Sequence, residues 1–144
     1  MYKAYEIALA PEFVSTLALE AFIMTNDIPK GDKKDRVLIM ATELFDNIVR
    51  HSRDLAGEIS FRLEEDVPLR EGVPFSEGES GCRLIISYKS SNFEELMACS
   101  RCSARYYDQK LGLYRGLGLV MCRNLARDMV FEPGSEADRI IVSL

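Results

Sequence analysis

Apolar residues recur along this chain with two periods, and the switches between them predict the order of its elements. "YKAYEIAL" (2–9) alternates apolar and polar and reads as a first strand. Pro11 suits the first turn of a helix after it, and "PEFVSTLALEAFIMTNDI" is apolar at Phe13, Leu17, Ala21 and Met24, a helical spacing. "PKGD" (29–32) breaks that helix. A second helix is predicted from about Lys33 to Ser52, with Val37, Ala41, Leu44 and Ile48 lined up to face a core. "EISFRLEED" (58–66) and "CRLIISYKS" (82–90) read as strands, the latter the strongest in the chain. Between them "VPLREGVPFSEGESG", with two prolines and three glycines, is a loop or a loose hairpin tip. From Asn92 to Leu111 the pattern is helical but ragged, with Arg101, Arg105 and Lys110 interspersed. "LGLYRGLGLVMCRNLARD" is a glycine-punctuated loop running into a helix, and "MVFEPGSEADRIIVSL" is a hairpin turning at Pro133-Gly134. Strands mixed with helices and hairpins predict an α+β fold. It is a two-layer sandwich with a mixed, mostly antiparallel sheet and helices on one face, in one domain spanning 1–144.

Composition narrows the function classes. Apolar content of 47% and charged content of 28% are those of a soluble globular chain. A net charge of -5 argues against nucleic acid as the main partner, because a phosphate backbone calls for a basic face. No stretch reaches the roughly 18 uninterrupted apolar residues that span a bilayer. The start, "MYKAYEIALAPEF", lacks the basic and apolar regions of a secretory leader, so the expected compartment is the cytoplasm. Cys82 and Cys122 lie in apolar contexts and read as small core residues. Cys99 and Cys102 form a single CxxC, but zinc would want a second pair or well-placed histidines, and the chain has one His. Two reduced thiols on a helix is the better reading.

Candidate chemistry sits in two segments. In "ATELFDNIVRHS" (41–52), Glu43, Asn47 and His51 stack one turn apart, on a stripe offset from the apolar one. A glutamate can orient or deprotonate a nucleophile, and an asparagine carbonyl is a neutral oxygen ligand suited to magnesium beside phosphates. The same column also fits a solvated helix face with ordinary i, i+4 contacts. In "GLYRGLGLVMCRNLA", Gly112, Gly116 and Gly118 precede an apolar helix, with Lys110 and Arg115 nearby. Such glycines let backbone N–H groups close on an anion at a helix N-terminus, although a bare helix start reads the same way. The polar helix followed about seventy residues later by this loop is more specific than either segment alone.

"ATELFDNIVRHS" resembles the N box of the GHKL (Bergerat-fold, histidine-kinase-like) ATPases, and "RGLGLVMCRNLARDMVFEPGSEADRIIVSL" resembles the last third of that family. The likeness is closest to its small members, the anti-sigma-factor serine kinases of sporulation and general-stress signalling. A branch of GHKL-like bacterial kinases related to surface-attachment signalling is also similar, with a loop that likewise reads G-L-G-L. The resemblance implies a Bergerat fold that binds Mg-ATP and phosphorylates a serine on a partner protein. Glu43 would be the general base and Asn47 would coordinate magnesium on the triphosphate. Arg50 and His51 would border the site, Tyr88 would stand at the base pocket, and residues from about Phe93 to Arg115 would form a lid. Arg115, Gly116, Leu117, Gly118 and Leu119 would line the phosphates at the start of a helix beginning near Leu119. The implied partners are a sigma factor or an anti-anti-sigma-like protein, and a second copy of the chain in a homodimer.

The chain departs from the pattern at one box. The family carries D-x-G-x-G after the strand ending near Ile86, its Asp reading the adenine amino group. Here "SYKSSNF" puts Tyr88 for the aspartate and Ser90 and Asn92 for the glycines. Tyr114 replaces the leading glycine of the loop, and Asp138 stands close to the place of a usual threonine. Losing a buried base-reading acceptor costs on the order of 1–3 kcal/mol. Three readings stay open: a kinase-like nucleotide-binding protein, a catalytically degenerate module that sequesters a partner, and an unrelated α+β domain.

Overall fold

The computed structural model describes residues 2–66, 81–101, 106–108, 113–115 and 117–144. Strand β1 (Tyr2–Leu9) leads through a 3-10 turn (Phe13–Ser15) into α1 (Thr16–Thr25) and α2 (Asp32–His51). Strands β2 (Ile59–Asp66) and β3 (Gly81–Tyr88) are followed by α3 (Phe93–Arg101) and two short strands, β4 (Tyr106–Asp108) and β5 (Leu113–Arg115). Helix α4 (Leu117–Leu125) then precedes β6 (Asp128–Glu132) and β7 (Asp138–Ser143). The fold is α+β. Its main sheet has five strands in the order β1-β2-β3-β7-β6. All its pairings are antiparallel, where a mixed sheet was expected.

Side-chain alternation decides which face of the sheet is covered. On β3, Cys82, Leu84, Ile86 and Tyr88 point into the core while Arg83 points out. On β7, Ile140 and Val142 are buried on the same side. Helix α2 supplies the opposing surface with Val37, Met40, Ala41, Leu44, Phe45 and Ile48, so its predicted apolar stripe is the core stripe. Gly31 starts this helix at φ 65, a backbone conformation that favours glycine. Asp32 and Asp35 in the first turn and Arg50 and His51 in the last complement the helix dipole.

The outward face of the sheet mixes charge with an apolar row, Ile85, Ile141 and Val130 lying side by side across β3, β7 and β6. Glu64 lies there yet is buried, covered by Tyr2, Arg62 and Arg83. Burial opposes its ionisation, but hydrogen bonds from Tyr2 and Arg62 and the charge of Arg83 prevail, and its pKa falls below the ordinary value.

Three expectations need correction. Helix α1 buries Leu19 and Ile23, not the predicted stripe; Leu17 is 69% exposed and Phe13 and Met24 are also exposed. "TLALEAFIMT" is apolar nearly all round, so spacing alone could not choose its face. Within the stretch expected to be helical to Leu111, α3 is described over Phe93–Arg101, and residues 106–108 and 113–115 pair as a small two-stranded sheet. Helix α4 begins at Leu117 rather than near Leu119. The acidic tip, residues 67–80, lies outside the described residues, as do Cys102 and Gly112. Among the described residues no helix is long and apolar enough to cross a membrane.

Candidate functional site

Helix α2 fixes the polar column. Glu43 and Asn47 are half-buried on the flank of its core stripe, and His51 is exposed at its end. That flank faces α4. Cys122 of α4 lies 3.9 Å from the Met40 carbonyl oxygen, and the Glu43 charge reaches its thiol. Burial, with Glu43 adding to it, pushes the Cys122 thiol up to about 12, so this cysteine is an inert core residue, as is Cys82. Glu43 therefore lies on the α4 side of α2, and Asn47 follows one turn along the same flank. Arg50 sits elsewhere: it pairs with Asp46 at 3.3 Å and lies over the Phe13 ring, 5.7 Å from its centroid. Arg115 ends β5, and Leu117, Gly118 and Leu119 form the first turn of α4. Gly116 lies outside the described residues.

The end of α2 is tied to the segment that departs from the family's box. Asn92 Nδ2 donates to the His51 carbonyl and its Oδ1 accepts the Arg53 N–H, each at 2.8 Å. The Ser91 N–H donates to the Arg53 carbonyl, and its hydroxyl to Asp54. The Ala56 N–H donates to the Lys89 carbonyl. Asn92 thus closes the helix C-terminus, accounting for one departure on structural grounds. The joint between β3 and α3 is held against the His51 end of the column.

At that joint the core changes character. Tyr88 is 3% exposed, Ser90 7% and Asp138 2%. Tyr88 and Asp138 are register partners across β3 and β7. The Tyr88 hydroxyl, Ser90 Oγ and Asp138 Oδ2 are all buried without a hydrogen-bond partner. Burial first, then the Asp138 charge, pushes the Tyr88 phenol well above its usual range. Ser52 lies beside this hydroxyl, but not in hydrogen-bond geometry. The other oxygen of Asp138 is engaged, by Lys89 Nζ at 3.4 Å and the Gly134 N–H at 3.1 Å. An alanine at Gly134 would drive its Cβ into the Ala137 carbonyl, so this tight turn needs glycine. Aromatic rings wall the cluster: Tyr88 meets Phe93 edge-on at 5.7 Å, and Phe93 meets Phe131 at 6.1 Å.

The sequence reading placed Glu43, Asn47 and Tyr88 in its candidate site, Tyr88 as a replacement for the family's aspartate, and took Ser90 and Asp138 only as departures from a pattern. Their grouping depends on a register between residues about fifty apart. A shallow cleft at the opposite end of the sheet, lined by Arg83, Arg127, Asp128 and Ser143, contains none of the unpartnered atoms. Its Arg83 is committed to Glu64. The joint is the better candidate because its polar atoms lack partners and the α2 column ends beside it. Among the described residues no group of three or more His, Cys, Asp and Glu could hold a metal ion. No family model and no curated protein matches the chain.

Proposed function

We propose that the chain is a regulatory protein of the histidine-kinase-like, Bergerat-fold type. It binds Mg-ATP and, like the anti-sigma-factor serine kinases, phosphorylates a small partner protein. The succession of strand, two helices, strand pair, α3, α4 and final hairpin supports this reading. The observation that carries it is the polar flank of α2, turned toward α4 and running up to a joint lined by unpartnered polar atoms. Those atoms and the neutral amide of Asn47 suit a nucleotide, which has donors and acceptors on its base and a magnesium ion on its phosphates. When bound, Mg-ATP supplies the phosphoryl group. Glu43 would accept the proton of the partner's hydroxyl as that oxygen takes the terminal phosphoryl group and ADP leaves, and Asn47 would hold the magnesium. The partner is a sigma factor or an anti-anti-sigma-like protein, with a second copy of the chain completing a dimer.

Mg-ATP at saturation should raise the melting temperature by several degrees. Asn47→Ala should abolish the magnesium-dependent part of that shift, while Glu43→Ala should keep binding and lose phosphotransfer. An equal loss of binding from both variants would contradict separate roles.

A second reading has its own support. Tyr88 is packed into the core where a base would be read, and Asn92 is committed to the α2 terminus. Both suit a degenerate module that sequesters its partner without catalysis. Absence of any shift with ATP, ADP or GTP would favour it.

A further inference from the structure

Helix α1 is apolar on the side it buries and on the side it shows. Leu19 and Ile23 enter the core, yet Leu17 is 69% exposed, Val14 67%, and Phe13 and Met24 53% each. A helix apolar all round belongs inside a protein, with apolar neighbours on every side. The outer half of this one faces solvent. Those four side chains expose on the order of 400 Å² in one strip, the size at which the largest apolar patch of a monomer is often functional.

The spacing along the strip says what fits it. Val14, in the 3-10 turn, is followed by Leu17, Ala21 and Met24 at steps of three, four and three, the rhythm of a seam between two helices. Phe13 and Glu20 flank that seam on one side, and Ala18 and Thr25 on the other. Arg50 of α2 lies over the Phe13 ring, 5.7 Å from its centroid. One flank therefore carries a cation at the Phe13 level and a carboxylate two turns further on. Arg50 is exposed, and its contact with Asp46 leaves guanidinium donors for another carboxylate. An antiparallel helix on the seam sets like flanks together with their ends reversed. A second α1 laid this way brings its Arg50 to Glu20 of the first and its Glu20 to Arg50 of the first, so the patch is self-complementary. A parallel helix would set both charges against the Ala18 and Thr25 flank and pair neither.

We propose that α1 is the face on which a second copy of this chain docks, the two helices antiparallel across a two-fold axis, with Leu17 of each against Ala21 of the other. The inference rests on the proposed function only for the second copy named there, not for the nucleotide. The two strips together cover on the order of 800 Å², and the flanking Glu20, Arg50 and Ala18 carry this toward the roughly 1,000 Å² that a specific interface must clear. A membrane surface suits the strip less well, since α1 carries no Lys or Arg and an interfacial helix is rich in both. The apolar row on the outward sheet face is the competing surface, but Ile85 and Ile141 are already half-buried there.

Sedimentation equilibrium of the full chain in reducing buffer tests the interface. The wild type should approach twice the mass of one chain as concentration rises. Leu17→Glu and Met24→Glu alter exposed side chains, so both should keep the fold by circular dichroism while raising the dissociation constant about tenfold or more. Val130→Glu, on the outward sheet face, should leave that constant unchanged. Glu20→Arg and Arg50→Glu should each weaken the dimer severalfold, and the two combined should recover most of the loss. Such recovery requires the antiparallel arrangement, because only there do the two residues meet. A wild type still monomeric at about 100 μM overturns the interface and leaves the nucleotide reading to its own Mg-ATP thermal shift. A dimer that survives Leu17→Glu overturns it too, whatever Val130→Glu does, as do charge swaps whose losses add instead of cancelling.

Discussion

On the covered face of the sheet, β3 and β7 pair Leu84 with Val142, then Ile86 with Ile140, and one row further on Tyr88 with Asp138. One alternation sets all three rows, and every one of these residues is buried. The first two rows pack as a core should. The third shuts a phenol and a carboxylate away from water and leaves an atom of each without a partner. The comparison teaches that burial is dictated by strand period while chemistry is chosen row by row. A row that breaks the apolar rule at a stability cost is where function is to be sought.

The comparison can be broken by substitution. The largest effect should come from the apolar rows: Ile140→Ala should lose about 2–5 kcal/mol in urea unfolding, since it opens a cavity under α2. Next comes the clamp beside the polar row. Asn92→Ala removes both hydrogen bonds at the end of α2 and should lose about 1–3 kcal/mol, with faster amide exchange at Arg53. In the polar row, Tyr88→Phe removes an unpartnered hydroxyl and should be neutral or stabilising by up to about 1 kcal/mol. A loss comparable to that of Ile140→Ala would mean that the two rows do not differ.

The smallest effect is electrostatic and lies away from both rows. Hydrogen bonds from Lys3 and Tyr5 hold the exposed Asp27 carboxyl at about 2. A depressed carboxylate pKa stabilises the fold above the unfolded value of about 3.9, and that contribution fades as pH falls toward 2. Melting temperatures of the wild type and Asp27→Asn should therefore differ slightly at pH 6 and converge near pH 2.

Much of this arrangement was legible in the sequence. Strands β1, β2, β3 and the final hairpin followed from alternation and turn residues, and α2 followed from its apolar stripe. The inner face of α1 was not legible, because an all-round apolar helix offers no contrast from which to choose a side. The β4–β5 pair was missed because strands of three residues are too short to show a period. In the candidate site, the one-turn spacing of Glu43 and Asn47 could be read because helical spacing is local. Asp138 could not be joined to Tyr88 and Ser90, because register between distant strands is a property of the folded sheet.

Titration of the isotope-labelled chain with Mg-ATP, followed by backbone amide chemical shifts, tests the nucleotide-site account most directly. The account predicts saturable changes at Asn47, His51, Lys89–Asn92 and Asp138, with Cys82 and Ser143 at the far end of the same strands unmoved. Absence of saturable change, or changes gathered at Cys82, Arg127 and Ser143, would contradict it.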